Sequence, residues 1–422
     1  MTQFITASAG GSGVQIALAP DEDALLANDV QIFSDDDHAL TAQGGADIVL
    51  GDRSALIAFG ADAVRLDGDG PSTLAIGEGA RILAEAANGI RAEAQATVVN
   101  HGAVIGVQHG IQFLEAAVLQ NFGTITAFTS RDLDLDGTAV EANAGLDLVN
   151  HGEIVGLAGV SVRDVALTLT NHGVISGGSS ALSFLNALGG AGVSTIINTG
   201  ELVGRDRAFF TDTSAMTIFN SGRIASFNDT RSTIDHNAAS RGQTFKLFNS
   251  GSLESEGIAY EGDIGVDIVR NTGVILGDVT LERLDDVYIG RLGRIEGLVD
   301  GGEGDDLIVG GAGDNRILGG DDDDILRGLG GADEIDGDDG ADLLDGGGGD
   351  DILSGGLGAD RLRGRSGADE IAGDDGADAL FGNGGADALF GGAGGDDIRG
   401  HAGDDVIGGG RGADLIVGGR GD

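Results

Sequence analysis

The chain has 422 residues, with 69 acidic against 24 basic side chains and a formal net charge of −45, which argues against nucleic acid and anionic membrane surfaces as partners and favours cations. It has no cysteine, so no disulfide framework is available, and no apolar run approaches the length of about 18 residues that a membrane span needs. With 80 glycines, no tryptophan and 4% aromatic residues, any core must consist of small aliphatic side chains.

Residues 1–60 show no regular repeat. The first twenty residues, MTQFITASAGGSGVQIALAP, lack a basic segment followed by a continuous apolar stretch, so they do not resemble a Sec-type signal. Residues 1–60 precede two repeat regions that, as argued below, predict solenoids. Because the ends of a solenoid need covering, we expect residues 1–60 to form an N-terminal cap or incomplete first coils.

Residues 61–299 carry a loose repeat of the form aliphatic-x-Asn-x-Gly-x-aliphatic, of which "LVNHGEI" at 148–154 is typical. The copies recur at a shorter or a longer spacing, as from Asn100 to Asn121 and from Asn121 to Asn150. A last copy, "IGRLGRI", has Arg291 where asparagine is expected. The asparagines of the other copies are Asn100, Asn121, Asn150, Asn171, Asn198, Asn220, Asn249 and Asn271.

This repeat predicts one coil of a right-handed parallel β-helix for each copy. Aliphatic residues two before and four after the asparagine follow the period of two that is typical of strands. Stacked coils would place equivalent asparagines about 4.8 Å apart, a distance at which their amides can hydrogen-bond along a ladder. We therefore expect a β-helix over residues 61–299, with the longer spacings as loop insertions on one edge.

From Gly301 the chain follows a nine-residue repeat without a gap. Thirteen full frames run to Val417, with glycine at position one of every frame and glycine at position four of all but one. Position eight is Ile or Leu in every frame. Position six is aspartate in twelve frames and asparagine in one: Asp306, Asn315, Asp324, Asp333, Asp342, Asp351, Asp360, Asp369, Asp378, Asp387, Asp396, Asp405 and Asp414.

The position-six side chains are the predicted metal ligands. If two frames make one flattened coil, frames n and n+2 stack at the strand spacing of about 4.8 Å, and half of that lies within the Ca²⁺–oxygen range of about 2.3–2.6 Å. Residues 301–422 hold 30 acids and 8 bases, and eleven calcium ions between eleven stacked pairs would balance that excess. Magnesium, which demands shorter bonds and stricter octahedral geometry, fits less well. We expect calcium to replace the missing core, and Asn315 to weaken its sites.

The nine-residue pattern resembles the RTX nonapeptide repeats of proteins exported by type I secretion systems. The resemblance implies a calcium-bound parallel β-roll over residues 300–422, an all-β fold for the chain, and an extracellular location. It also implies export by the type I secretion apparatus through an uncleaved C-terminal signal. The last frame is cut off at Asp422, so we expect the native reading frame to continue through further repeats to that signal.

The β-helix part resembles those of bacterial adhesins and of polysaccharide lyases and mannuronan epimerases. The epimerases carry an Asp-Pro-His-Asp type motif, and the nearest string here, "IDHN" at 234–237, lacks the proline and the second acid. Arg131 with Asp132 and Asp134, and Arg205 with Asp206 and Arg207, form no known catalytic signature. The string "DLDLDG" at 132–137 resembles the start of an EF-hand loop, but an acidic solvated loop is favoured over a calcium site.

The sequence thus predicts a secreted, non-enzymatic calcium-binding solenoid that acts as a surface, matrix or adhesion element. No catalytic residue and no organic cofactor are assigned. The alternative is a calcium-dependent polysaccharide lyase or C5-epimerase that uses the β-helix face. Beyond calcium, an extracellular polysaccharide or a cell-surface ligand is the partner to test.

Overall fold

Parallel β-strands are the regular elements of the computed structural model, which describes residues 2–7, 9–11, 16–128, 137–163, 166–185, 193–211, 215–228, 230–236 and 243–421. These ranges contain no helix, and so none that could cross a bilayer. The chain divides into two compact units, Met1–Asn228 and Asp229–Asp422. The predicted all-β parallel solenoid is confirmed in both.

In the first unit each coil presents strands on three faces. On the first face every strand pairs in parallel with the strand of the next coil. The strands of this face are Thr2–Ile5, Asp23–Leu26, Asp47–Leu50, Ser72–Ile76, Ala96–Asn100, Ala117–Asn121, Leu146–Asn150, Leu167–Asn171, Ser194–Asn198 and Met216–Asn220.

The second and third faces of this unit form parallel columns of their own. The second face contains Gln31–Ser34, Ala55–Ala58, Arg81–Ala84, Ala103–Gly106, Thr124–Ala127, Glu201–Gly204 and Arg223–Ser226. The third contains Ile16–Leu18, Leu40–Gln43, Val64–Asp67, Ile90–Ala92, His109–Phe113, Thr138–Ala142 and Arg207–Thr211. Two long strands, Glu153–Arg163 and Val174–Leu185, bend across both faces.

Alternation of side chains builds the core of the coils. Ala96–Asn100 pairs residue for residue with Ala117–Asn121, so buried Val98 stacks on buried Leu119. The alternate residues of each strand point outward. The same register recurs from coil to coil, so aliphatic side chains form continuous ladders inside the unit. Strands pair in this way within residues 1–60 as well, for example Gln31–Ser34 with Ala55–Ala58. The proposed division of the chain at residue 60 stays a prediction.

The predicted asparagine ladder is confirmed. In the first unit the side-chain amide of each asparagine donates to Oδ1 of the next at 2.8 Å, from Asn100 through to Asn220. In the second unit Asn249 donates to Asn271 in the same way. These side chains are almost fully buried, so the ladder satisfies amides that water cannot reach.

The second unit changes from wide to narrow coils along its length. Its first-face strands are Thr244–Asn249, Val266–Asn271, Val287–Ile289, Leu307–Val309, Ile325–Gly330, Leu343–Gly348, Arg361–Ser366, Ala379–Gly384, Asp397–Ala402 and Leu415–Arg420. The opposing strands are Ile234–His236, Ser252–Glu261, Val274–Thr280, Arg294–Glu296, Leu298–Glu303, Arg316–Asp321, Glu334–Asp339, Ile352–Ser354, Leu357–Gly358, Glu370–Ala372, Asp375–Gly376, Ala388–Gly394 and Val406–Gly412.

The narrow coils contain two nonapeptide frames each. Leu307 pairs with Ile325 and Arg316 with Glu334, so every frame stacks on the next frame but one. Position eight points inward in each frame up to Ile398, and the core of a narrow coil is little more than one Ile or Leu from each face. The proposed boundary at residue 300 lies within the strand Leu298–Glu303 and stays a prediction.

Candidate calcium-binding turns

The turns between the two faces of the narrow coils carry the predicted ligands in two columns. One column contains Asp306, Asp324, Asp342, Asp360, Asp378, Asp396 and Asp414, and the other contains Asn315, Asp333, Asp351, Asp369, Asp387 and Asp405. Within a column, each member belongs to the next frame but one. Asp405 and Asp414, in the last two full frames, are half-buried, whereas the other eleven are nearly fully buried, which is unusual for so many polar side chains.

One oxygen of each carboxylate is used within the protein. The backbone N–H of Asp306 donates to Oδ1 of Asp324 at 2.7 Å, and that of Asp324 donates to Oδ1 of Asp342 at 2.8 Å. The same bond joins Asp333 to Asp351 in the second column. Each column is therefore a ladder in which one carboxylate oxygen fixes the orientation of the side chain.

The other oxygen is buried and has no hydrogen-bond partner. This holds for Oδ2 of Asp306, Asp324, Asp333, Asp342, Asp351, Asp360, Asp369, Asp378, Asp387 and Asp396. A buried, unpaired carboxylate oxygen is costly unless a cation or a proton compensates it. Ten such atoms, aligned along two columns, indicate a repeated cation site.

Glycine at position one leaves the space that such a cation needs. A Cβ on Gly301 would collide with Oδ2 of Asp306 and would lie 2.5 Å from the carbonyl oxygen of Gly319 in the next coil. The same pair, a carboxylate oxygen and a carbonyl oxygen one coil further on, surrounds Gly319 and Gly337. The glycine at position one therefore keeps open a space between a carboxylate oxygen and a carbonyl oxygen, both candidate calcium ligands.

The donor set fits calcium. Within the described ranges, no three His, Cys, Asp or Glu side chains converge closely enough to hold a metal by themselves, so backbone carbonyls must complete the shell. Calcium takes six to eight oxygen ligands, carboxylate and carbonyl alike, in a flexible geometry. A run of carboxylates and carbonyls without nitrogen or sulfur ligands suits this ion.

Asn315 occupies its column differently. Its side-chain Oδ1 accepts a hydrogen bond from the backbone N–H of Gly311 at 2.7 Å, while the backbone N–H of Asn315 donates to Oδ1 of Asp333 at 2.8 Å. The amide oxygen that would replace a carboxylate oxygen is thus already engaged. This supports the expectation that sites at Asn315 are weaker than the others.

Burial raises the pKa of nine of the position-six aspartates, from Asp306 to Asp387. The pKa rises to about 8 for Asp324, to about 7 for Asp306, Asp333 and Asp342, and to about 6 for Asp369 and Asp378. The main cause is desolvation; hydrogen bonding from the backbone opposes it, and neighbouring carboxylates add to it. Without a cation, protons compete for the same oxygens.

Calcium affinity should therefore depend on pH. A carboxyl with a pKa of about 7, such as that of Asp333 or Asp342, loses about tenfold of its ionised fraction between pH 8 and pH 6, so we expect affinity at such sites to fall about tenfold. In excess chelator, pH acts on the stability of the fold in the opposite direction. The raised pKa values stabilise the folded state fully at pH below the unfolded pKa of about 4, and this stabilisation is lost as pH rises through 6–8. Calorimetric titration at both pH values tests the first effect, and equal affinities would contradict it.

Two glycines of one turn provide a matched test of the open space. A Cβ on Gly328 would collide with Oδ2 of Asp333, whereas a Cβ on Gly330 would lie 3.6 Å from its nearest neighbour, the carbonyl oxygen of Gly348. Neither glycine has a positive φ. We expect Gly328→Ala to lower the number of bound calcium ions by at least one, and Gly330→Ala to leave it unchanged. Equilibrium dialysis measures both, and equal losses would show that glycine serves only the backbone.

The aspartate column extends beyond the predicted residues. The N–H of Asp286 donates to Oδ1 of Asp306, and the N–H of Asp267 donates to Oδ1 of Asp286, both at 2.7 Å. Both side chains are buried, and burial raises the pKa of Asp286 to about 9. Sequence reasoning missed them because these coils are longer than a pair of nonapeptide frames, so the period of nine is lost. The string "GDIGVDIV" at 262–269 was the available signal, since it has the glycines and the aspartate of a nonapeptide frame.

The possible catalytic groups of the β-helix lie partly outside the described residues. Arg131, Asp132 and Asp134, with the start of "DLDLDG", lie outside the described residues. His236 of "IDHN" is fully buried. The guanidinium group of Arg207 lies over the ring of Phe210, 4.7 Å from its centre.

One further histidine–carboxylate pair lies on the third face of the first unit. Nε2 of His109 is 2.7 Å from Glu141, whose pKa is lowered mainly by that contact. Nδ1 of His109 is buried without a hydrogen-bond partner.

Comparison with known proteins agrees with the geometry of the narrow coils. Residues 300–335, 327–362, 354–389, 363–398 and 390–422 match the family model described as RTX calcium-binding nonapeptide repeat (4 copies). This confirms the RTX resemblance for the C-terminal part of the chain and supports calcium as its ligand. A search of the curated proteins and a search of the solved structures each found no match.

Proposed function

We propose that this protein is a secreted, non-enzymatic calcium-binding solenoid that acts as a surface, matrix or adhesion element. The observation that carries the proposal is the double column of buried, unpartnered Oδ2 atoms in the nonapeptide turns. Calcium bound to the position-six residues, Asp306 to Asp414, would stabilise the roll outside the cell, where calcium is abundant. The β-helix coils, which have their own aliphatic core, would form the lasting scaffold.

The same chemistry supports secretion. Where free calcium is low, as in the cytosol, the roll would stay unfolded and could pass through a type I secretion apparatus. Outside the cell, calcium would fold it. The test is to compare culture medium with cell lysate of the source organism by immunoblotting; a protein confined to the lysate would contradict the proposal.

An arginine strip on the first face supports an acidic polysaccharide as partner. We define this strip as Arg327, Arg361, Arg363 and Arg399 with Phe381. Arg327, Arg363 and Arg399 lie on alternate coils of one column, hence about 10 Å apart. Asp345, which is paired with Arg365, lies between the first two, and Phe381 lies between the last two. Arg399 is also paired with Asp397. The guanidinium groups of Arg361, Arg363 and Arg399 lie 4.9, 6.0 and 5.8 Å from the centre of the Phe381 ring.

The opposite, more acidic face has two glutamates in an outward column that also contains Ile352 and Ala388. This column includes Arg316, Glu334 and Glu370, and Nε of Arg316 lies 3.1 Å from Glu334. On the strip face, a groove of about 620 Å³ runs between Arg327 and Arg363. Guanidinium groups bind carboxylates in a bidentate manner, so regularly spaced arginines suit a polymer with regularly spaced carboxylates.

Binding to a uronate polymer tests this partner and the enzymatic alternative together. We expect the calcium-loaded chain to bind alginate or pectate, Arg363→Ala to weaken binding at least fivefold, and Arg316→Ala on the acidic face to leave it unchanged. Equal effects of the two variants would rule out the strip. The same incubations report turnover: new absorbance from unsaturated ends, or a changed proton spectrum of the polymer, would favour a lyase or an epimerase.

A further inference from the structure

Residues 262–270, GDIGVDIVR, have the sequence pattern of a nonapeptide frame, although they lie before the RTX match and lack the positive φ at positions two and four that most frames of the roll have. Gly262, Gly265 and Asp267 take positions one, four and six, and Val269 is buried at position eight. A Cβ on Gly262 would collide with Oδ2 of Asp267 and with the carbonyl oxygen of Leu281 in the next coil. This is the space, bounded by carboxylate and carbonyl, that the narrow coils keep open at position one.

The next frame, residues 281–289, has the backbone conformation of a turn of the roll but not the open space at position one. Glu282 and Leu284 have φ values of 79° and 78°, in the left-handed region that glycine occupies at the same places in the roll. Position one is Leu281, whose side chain is fully buried. This frame therefore supplies a carbonyl oxygen to the turn at Gly262 but fills its own space with a side chain.

Asp267 is the least compensated carboxylate of the column. It is fully buried, and no backbone N–H donates to either of its oxygens. Its Oδ1 lies 3.3 Å from Nδ1 of His236, which is also fully buried and has no hydrogen-bond partner on either nitrogen. The buried hydroxyl of Tyr260 lies beside Asp267 and is placed to donate a hydrogen bond to its carboxylate. A carboxylate in such surroundings requires a cation or a proton.

We propose that Asp267 binds a calcium ion in the turn that begins at Gly262, with the carbonyl oxygen of Leu281 as a second ligand. The inference rests on the proposed calcium binding of the roll. It assigns a site to residues outside the nonapeptide match and makes the start of the calcium-dependent structure Gly262 rather than Gly301. The alternative is that His236 carries a proton and forms an ion pair with Asp267, in which case no calcium ion binds there.

Terbium in place of calcium reports on this site selectively. The chain has no tryptophan and two tyrosines, Tyr260 and Tyr288, and a bound terbium ion emits under tyrosine excitation when a tyrosine is close. In the full chain carrying Tyr288→Phe, the emission comes through Tyr260 alone, beside Asp267. We expect Asp267→Asn in that background to remove most of the emission. Asp285→Asn, which removes an exposed charge from the neighbouring turn, should keep it.

A calcium count separates this inference from the function on which it rests. We expect Asp267→Asn to bind one calcium ion fewer than the parent, with hydrogen exchange in Leu343–Gly348 unchanged. If Asp267→Asn fails to fold, Gly262→Ala blocks the same space without a change of charge and should give the same two results. Undiminished emission and an unchanged count would overturn the site while the roll still binds calcium. A parent chain that binds none would overturn the proposed function itself.

Discussion

Removal of calcium with excess chelator at pH 8 is expected to unfold the narrow coils, residues 301–421, and to leave the coils of the first unit folded. At this pH most position-six carboxyls with a raised pKa would have to ionise inside the turns, where they repel one another and desolvation is costly. The core of a narrow coil is too thin to compensate. Hydrogen exchange should become fast throughout these coils, and circular dichroism should lose part of its β signal.

The first unit is the internal control of this experiment. Its aliphatic ladders and asparagine amides need no metal, so exchange in Ala96–Asn100 and Leu167–Asn171 should stay slow in chelator. Adding back calcium should restore protection of the narrow coils, and magnesium at the same concentration should not. Slow exchange of Leu343–Gly348 in excess chelator would refute the role given to calcium.

Replacement of Asn198 by alanine is expected to lower the free energy of unfolding by about 2–5 kcal/mol, since buried partners that lose a hydrogen bond cost about 1–3 kcal/mol each. Asn198 accepts from Asn171 and donates to Asn220, each at 2.8 Å, and also donates to the carbonyl oxygen of Arg223 at 3.1 Å. Its removal leaves these buried groups without that partner in the middle of the ladder.

Asn143→Ala is the matched control for this substitution. Asn143 is exposed and lies in the same unit, so its loss should change the free energy of unfolding by less than about 0.5 kcal/mol. Urea denaturation of the calcium-loaded chain measures both variants, and hydrogen exchange in Ser194–Asn198 localises the effect. Equal effects at the two positions would mean that the ladder contributes little to stability.

The regular parts of the fold could be predicted because the residue pattern within each repeat predicts the strand positions of one coil. An aliphatic residue at a fixed distance from Asn100 or Asn171 predicts an inward strand position, and the stacking of identical coils then brings the asparagines together. The nine-residue period likewise places Asp324 over Asp342 without further information. In a solenoid, neighbours in space are the next repeats in sequence, so local periodicity predicts the tertiary contacts.

The sequence by itself therefore determined the all-β class, the two kinds of coil and the spacing of the position-six residues. Only the tertiary structure decided that, in ten position-six aspartates, one oxygen accepts from the backbone while the other has no hydrogen-bond partner. It also decided that the column continues to Asp286 and Asp267, where the coil lengths are irregular. Strand pairing between successive coils is maintained when a turn contains an extra residue, whereas the sequence period is lost. The register of the strands, rather than the spacing of the motifs, therefore places the carboxylates that complete the column.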